Sequence, residues 1–303
     1  LHTKQVGENI FLIDLETGGF KNLIASYVLK GTNTIIVETG PTASIPNLLS
    51  GLQELHVALD SVSHVAISHV HIDHGGGVGT LLKKLPNAKV IVHPRGAPHL
   101  IDPAKLWAQS KQVLGHVAEI YGEPLPVPED RIITATDGMA LDAGNSLCLE
   151  TIEALGHASH NLSYFESLNK SMFPGDAAGM YIGEFDVVVP TTPPPFYLDV
   201  ALQSLEKLAS FNPKALYYSH FGKADGGVKR LRDYAAQIKR WGEIAEDGVK
   251  NGQSQSAITE RILREDEAMR KAADYFQAHP VLVKTAIENS VQGFIEYAEK
   301  SQA

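Results

Sequence analysis

One short stretch constrains this chain more than any other. His69-Val70-His71-Ile72-Asp73-His74, followed by Gly75-Gly76-Gly77, sets three imidazoles and one carboxylate within six residues. It directly follows 62–67, a run with the composition of a β-strand. Neutral imidazole is the commonest metal ligand among side chains. A carboxylate beside imidazoles suits a divalent first-row ion such as zinc, iron, manganese or cobalt. In an extended segment side chains alternate, so His69 and His71 share one side. Asp73 and His74 fall where the chain turns into a helix, and the glycines let the backbone approach whatever is bound. One imidazole pair and one carboxylate–imidazole pair thus offer places for two ions. A closed structural site would normally draw on cysteines, and the chain holds one, Cys148. An open, catalytic metal site is the expectation. A polar loop that happens to be rich in histidine is the alternative.

The rest of the chain supplies further ligand types, each just past a strand-like run: Gly156-His157, Gly175-Asp176 and Ser219-His220. In this order and spacing the chain resembles the metallo-β-lactamase superfamily along nearly all of residues 1–225. The resemblance implies an α/β fold, a four-layer αββα sandwich. It also implies a dinuclear centre of two divalent ions, zinc first, with iron, manganese or cobalt as substitutes. His69, His71 and His157 would form one site; Asp73, His74 and His220 the other; Asp176 would bridge. A metal-bridging hydroxide would attack an ester, lactone, thioester or phosphoester of a small molecule. Asp176 and Asp73 are the catalytic carboxylates, Asp73 orienting or shuttling the proton. Glu38 stands where many relatives carry aspartate and would accept a hydrogen bond from a ligand imidazole.

Rivals exist at several positions. His160 lies three residues beyond His157; His157 is preferred because the family places its ligand directly after glycine. His93 and His99, which flank an insertion, stay open as further histidines of interest. Lactonases of the superfamily carry tyrosine three residues after the bridging aspartate; here that residue is Gly179, with Tyr181 nearby. Thioesterases of the glyoxalase II type grip glutathione with late basic residues; Lys223 and Arg230 are present without a clear signature. The Gly175-Asp176 match argues against antibiotic hydrolysis as the main activity. A mono-iron, persulfide dioxygenase-like oxidoreductase using His69, His71 and Asp176 is the alternative of another class. A non-catalytic binding protein is a third reading. The complete second ligand set disfavours both.

At 303 residues the chain can bury a large core. No apolar run approaches the ~18 residues of a membrane span. The N-terminus lacks a secretory pattern, and one cysteine fits a reducing compartment, so a cytoplasmic location without membrane attachment is expected. A net charge of −9 and the lack of any Lys/Arg run argue against nucleic acid. A small-molecule substrate is the expected partner, with a homodimer as a further candidate. Cys148, within an apolar run, is expected to be a small core residue.

The expected organisation is a catalytic domain over 1–225 and a helical extension over 226–303. Strands at 10–14, 25–30 and 34–38 suggest an antiparallel meander. Ile45, Leu48, Leu49, Leu52 and Leu55 recur at helical spacing, with Ser44 as N-cap. A short helix over 77–85 and a strand at 88–92 follow. Residues 94–128 are a proline-rich insertion around one helical stretch, roughly 103–121, with Leu106, Trp107, Val113, Leu114, Val117 and Ile120 on its apolar face. Such an insertion is a lid or substrate wall, or a helix packed on the core. Strands resume at 131–134, 139–141, 147–153, 163–166, 170–173 and 215–218, with a helix over 199–209 capped by Asp199. Every proposed ligand ends a strand, which would hold all of them along one rim. The tail carries a stripe of Val228, Leu231, Tyr234, Ile238, Trp241 and Ala245, then helices over 256–278 and 281–299 parted by Pro280. Tyr181, Phe196, Tyr197, Tyr217 and Phe221 are candidate pocket walls.

Overall fold

The computed structural model describes residues 2–279 and 283–302. Its first sheet takes seven strands in chain order: β1 Thr3–Gly7, β2 Ile10–Asp14, β3 Ala25–Lys30, β4 Thr34–Val37, β5 Val62–Ala66, β6 Lys89–Val92 and β7 Ile132–Thr134. The β1–β4 part is the expected antiparallel meander, and β4 to β7 run parallel. The second sheet begins with β8 Ala140–Gly144, β9 Leu147–Glu153, β10 Leu162–Glu166 and β11 Ser171–Phe173. A separate hairpin, β12 Met180–Ile182 and β13 Val187–Val189, interrupts it. The sheet is completed by β14 Ala215–Tyr218, which joins β11 in parallel, and β15 Gly222–Asp225.

Period-two alternation sorts the side chains into three cores. From the first sheet, Ile10, Tyr27, Leu29, Ile35, Val37 and Ala66 face the second sheet, and Leu149, Leu162, Tyr164, Phe173 and Tyr217 face back. Their neighbours Ile13, Val28, Ile36, Val65 and Val90 point the other way, onto α1 Ile45–Glu54 and α2 Val78–Leu82. On the far side Ile152, Met172, Leu216 and Tyr218 meet the remaining helices. Two sheets face to face with helices outside each give the αββα sandwich. Each fully buried aliphatic side chain contributes about 1.5–3 kcal/mol, and a one-residue slip in any strand would turn its core residues to the wrong face. Cys148 is half-buried on β9 rather than a core residue.

Several local expectations are corrected. Ser44 does precede α1, but its hydroxyl pairs with Thr17 Oγ1 at 2.7 Å instead of capping the helix. The insertion is three helices, α3 Ala97–Ile101, α4 Ala104–Leu114 and α5 His116–Tyr121, not one. The break falls at Gly115, whose φ of 55° suits glycine alone. Of its apolar face only Leu106 is buried, together with Ala118; Val113 and Ile120 are exposed. Helix α6 Leu198–Ser210 is preceded by Tyr197; Asp199 lies inside its first turn and accepts a hydrogen bond from Tyr297.

After β15 come α7 Gly227–Lys250, α8 Gln255–Glu265, α9 Glu267–Lys271 and α10 Ala273–Ala278. A π-helical turn, Val283–Glu288, leads into α11 Asn289–Gln302. The α7 stripe of Leu231, Tyr234, Ile238, Trp241 and Ala245 is buried, in one core with α6 and the second sheet. The single helix expected over 256–278 is cut at Asp266, which caps α9 through Met269 N and accepts Trp241 Nε1 at 2.6 Å. The break expected at Pro280 lies outside the described residues. Among the described residues no helix is long and apolar enough to cross a membrane.

Candidate metal centre

The loop after β5 keeps the strand's alternation while it turns. Val70 and Ile72 are buried in the core under α1 and α2, so His69 and His71 are forced to the opposite side. The turn closes when His74 N and Gly75 N both donate to His71 O, at 3.0 and 2.9 Å. The glycines serve packing rather than a ligand. A Cβ on Gly76 would lie 2.2 Å from Ile72 O, so only glycine lets the turn fold onto itself.

Two clusters result. In the first, His69 Nε2 and His71 Nδ1 are 2.9 Å apart, and His157 Nε2 is 3.2 Å from each. In the second, His74 Nε2 and His220 Nε2 are 3.2 Å apart, with Asp73 Oδ2 at 3.5 Å from His220 and 3.9 Å from His74. Asp176 lies between them. Its Oδ1 stands 3.4 Å from His74 Nε2, and its Oδ2 stands 3.8 Å from His157 Nε2. All seven residues singled out in the sequence are thereby brought together. His160 is not in either cluster; its ring stacks behind His69 at 6.2 Å. His93 is engaged by Glu153 at 2.8 Å, and His99 stands beside His160.

The donor set fits divalent cations. His157 Nδ1 donates to Thr191 O and His220 Nδ1 to Leu23 O, so in their neutral forms both rings aim the Nε2 lone pair into the clusters. Converging lone pairs repel unless a cation lies among them. Two ligand atoms on a tetrahedral zinc are about 3.3 Å apart, close to the nitrogen spacings here. Asp176 Oδ1 is buried and has no hydrogen-bond partner among the described residues. These clusters are therefore suited to hold divalent metal through His and Asp ligands.

Charge follows the same division. Burial, reinforced by neighbouring imidazoles, holds His69 well below the ordinary histidine value and takes His71 down to about 3. Burial also lowers His157. These rings are neutral at pH 7, as ligands must be. In the second cluster burial opposes charge, yet Asp176 and Asp73 outweigh it and raise both His74 and His220. Burial would likewise raise the two aspartates, but the facing imidazoles hold both well below the carboxylate range. The second cluster thus attracts positive charge, and a metal ion would displace those protons.

Buried groups fix these loops in place. Tyr164, on the second sheet, donates to Ile67 O at 2.6 Å, just before the motif. Tyr27, on the first sheet, donates to Tyr218 O at 2.6 Å, two residues before His220. The two hydroxyls tie the sheets together at two ligand-bearing strand ends. Glu38 has a φ of 67°, which non-glycine residues rarely adopt. Its Oε1 accepts Ser68 N at 3.2 Å and stands 3.6 Å from His74 Nδ1. Gly175, with φ 57°, has no room for a Cβ, which would fall 2.5 Å from Ser68 Cβ. That contact seats the Asp176 loop against the motif.

A cavity of ≈ 520 Å³ opens over both clusters, with His71, Asp73, His157, Asp176 and His220 in its floor. Helices α4 and α5 form one wall through Leu106, Val113, Val117 and Tyr121. Pro193–Pro195 and the C-terminal residues Ala286, Asn289 and Ser290 form another. The insertion is therefore a wall of the site. None of the five aromatics expected as walls lines this cavity. Tyr217 and Phe196 are core, Tyr197 is exposed, and Tyr181 and Phe221 line a different cavity. The aromatic that does line it is Tyr121, whose phenol burial, Asp73 and Asp176 together make a very weak acid. Its place at the end of the insertion helix was the one available signal.

Residues 21–220 match the family model described as the metallo-beta-lactamase superfamily. A metallo-beta-lactamase fold-containing protein of Sulfurisphaera tokodaii is 28% identical over 208 residues, covering 67% of this chain and 74% of its own. A crystal structure of an archaeal protein of the superfamily, from Sulfolobus tokodaii, superposes with a TM-score of 0.70 over 91% of this chain and 93% of the other, at 25% identity. A metallo-beta-lactamase family protein of Thermus thermophilus shares the fold, with a TM-score of 0.66 at 19% identity over 92% of this chain and 89% of that one. An atrochrysone carboxyl ACP thioesterase of Emericella nidulans is 47% identical over 66 residues, 19% of this chain and 22% of the relative. The family-model match over residues 21–220, about two thirds of the sequence, together with the shared fold, makes this chain a member of the metallo-β-lactamase superfamily.

Proposed function

We propose that the protein is a dinuclear metal-dependent hydrolase that cleaves a small-molecule ester, thioester, lactone or phosphoester. One observation carries the reading: Asp176 turns one oxygen toward each of two complete ligand clusters, at the floor of a ligand-sized cavity. His69, His71 and His157 would hold one ion, and Asp73, His74 and His220 the other. Zinc is the first choice for such ligands, with iron, manganese or cobalt as substitutes. When bound, the pair supplies a Lewis acid and an acidified water.

The chain's own residues do the rest. Thr191 O and Leu23 O orient the imidazoles of His157 and His220 by hydrogen bonds, and Glu38 sets a carboxylate 3.6 Å from His74 Nδ1, too far for the hydrogen bond expected there. Asp73, half-buried at the cavity floor, is placed to take a proton from the attacking water at its carboxylate. Tyr121 lines the cavity with a phenol made a weak acid by burial, and would donate a hydrogen bond to the oxygen that gains charge. The name of the Emericella nidulans relative favours thioesters among the bonds considered.

The test is removal and return of metal. After chelation, confirmed by elemental analysis, hydrolysis of a panel of the four bond classes is expected to vanish, and to return on reloading. Hydrolysis that survives verified demetallation would contradict the reading. Oxygen uptake with a persulfide, in place of hydrolysis, would identify the mono-iron oxidoreductase.

A further inference from the structure

We propose that the cavity over the clusters takes an uncharged, largely apolar acyl or aryl group, and that the enzyme rejects substrates bearing a second anionic group. This deepens the hydrolase reading and rests on it.

The walls carry the argument. Leu106, Val113 and Val117 on one side face Met180, the Pro193–Pro195 run and Ala286 on the other. The polar wall groups are neutral, among them Gln109, Gln112 and Thr191. Among the described residues no lysine or arginine lines the cavity. Its acidic floor residues are Asp73 and Asp176. Any bound metal would be held at the floor by these carboxylates and the imidazoles, next to the scissile group and not along the walls. A carboxylate or phosphate elsewhere on the substrate would leave water for apolar walls with no cation to receive it, and such burial is costly.

Two further observations agree. The apolar character continues outside the cavity. Val113, Ile120 and Phe20 are 63%, 39% and 54% exposed, and Ile120 and Phe20 both close over Gly18. Val113 belongs to the cavity wall and Ile120 directly precedes the wall residue Tyr121, so exposed apolar surface reaches the cavity rim. A second cavity of ≈ 1020 Å³ does hold lysines, Lys4, Lys21 and Lys223, together with Asp14, Glu16, Glu184 and Asp225. The exclusion of lysine from the metal cavity is thus a property of that cavity, not of the whole surface.

The test uses the metal-loaded full chain and two p-nitrophenyl esters of equal length, the octanoate and the hydrogen suberate, which differ by a terminal carboxylate. kcat/KM is expected to be lower for the suberate by at least about tenfold. Val113→Arg, at an exposed wall position that tolerates a long side chain, should narrow or invert that ratio. Equal kcat/KM values for the wild type would overturn the proposal. If metal-loaded protein hydrolyses neither ester, the panel of four bond classes decides the hydrolase reading, and binding decides this inference separately. The neutral fluorophore N-phenyl-1-naphthylamine should then bind and be displaced by octanamide at least about tenfold more readily than by suberamate. Equal displacement, or no binding of the fluorophore, would overturn it.

Discussion

The floor of the cavity is polar, deeply buried and built from loops at strand ends, whereas its walls are apolar, half-exposed and built from short helices. His69, His74, His157, Asp176 and His220 are all less than one tenth exposed. Across the cavity, α4 and α5 present Val113 and Val117 and are joined through a glycine. The floor is held from beneath by both sheets, through Tyr27, Tyr164 and Glu38. The walls rest on few buried side chains, Leu106 and Ala118 among them. The contrast separates two tasks. Ligand atoms must stay fixed to within a fraction of an ångström, and the sandwich supplies that rigidity. Recognition needs shape and apolar contact, and peripheral helices supply it without disturbing the floor.

The contrast can be broken most severely at Asp176. Asp176→Ala removes the carboxylate that faces both clusters, so metal content and hydrolysis should fall together. The fall should exceed the roughly 10–100-fold typical of a residue that only orients a ligand; activity that persists would refute the bridging role. Tyr121→Phe comes next, and it probes the one wall residue assigned a chemical part. It should lower kcat by about 100-fold with metal content unchanged. A change confined to KM would make Tyr121 a wall residue like its neighbours.

Glu38→Ala sharpens the description of the floor. Metal affinity, measured by competition with a chromophoric chelator, should weaken by about 10–100-fold, because His74 loses its acidic neighbour. The smallest effect is expected at Tyr164→Phe, which leaves Ile67 O without its partner. It should cost about 1–3 kcal/mol, read as a lower Tm, while kcat changes little. A large loss of kcat with unchanged Tm would mean that the hydroxyl does more than join the sheets.

The same division explains what could be read from the sequence. The floor was legible because four of its ligands cluster in a six-residue motif and the other three each follow a strand-like run. The two sheets were largely legible for the same reason: Ile35, Ile36 and Val37 alternate between two cores. The hairpin Met180–Ile182 with Val187–Val189 was missed, since three residues are too few to show a period. The walls were misjudged because aromatic content alone does not say where a ring points. Tyr27 packs edge to face on Phe173 and Tyr217 between the sheets, with ring centroids 5.2 and 5.5 Å apart. The approach of Ala286 and Ser290 to the cavity depends on how the last helices dock, and amphipathic spacing carries no record of that.

The most direct test of the central claim is the number of metal ions per chain, by elemental analysis of protein purified without added metal or chelator. The account predicts about two divalent ions per chain, falling to about one in His220→Ala, which spares the His69, His71 and His157 cluster. A single iron per chain, unchanged by His220→Ala, would contradict a dinuclear centre and point to the mono-iron oxidoreductase instead.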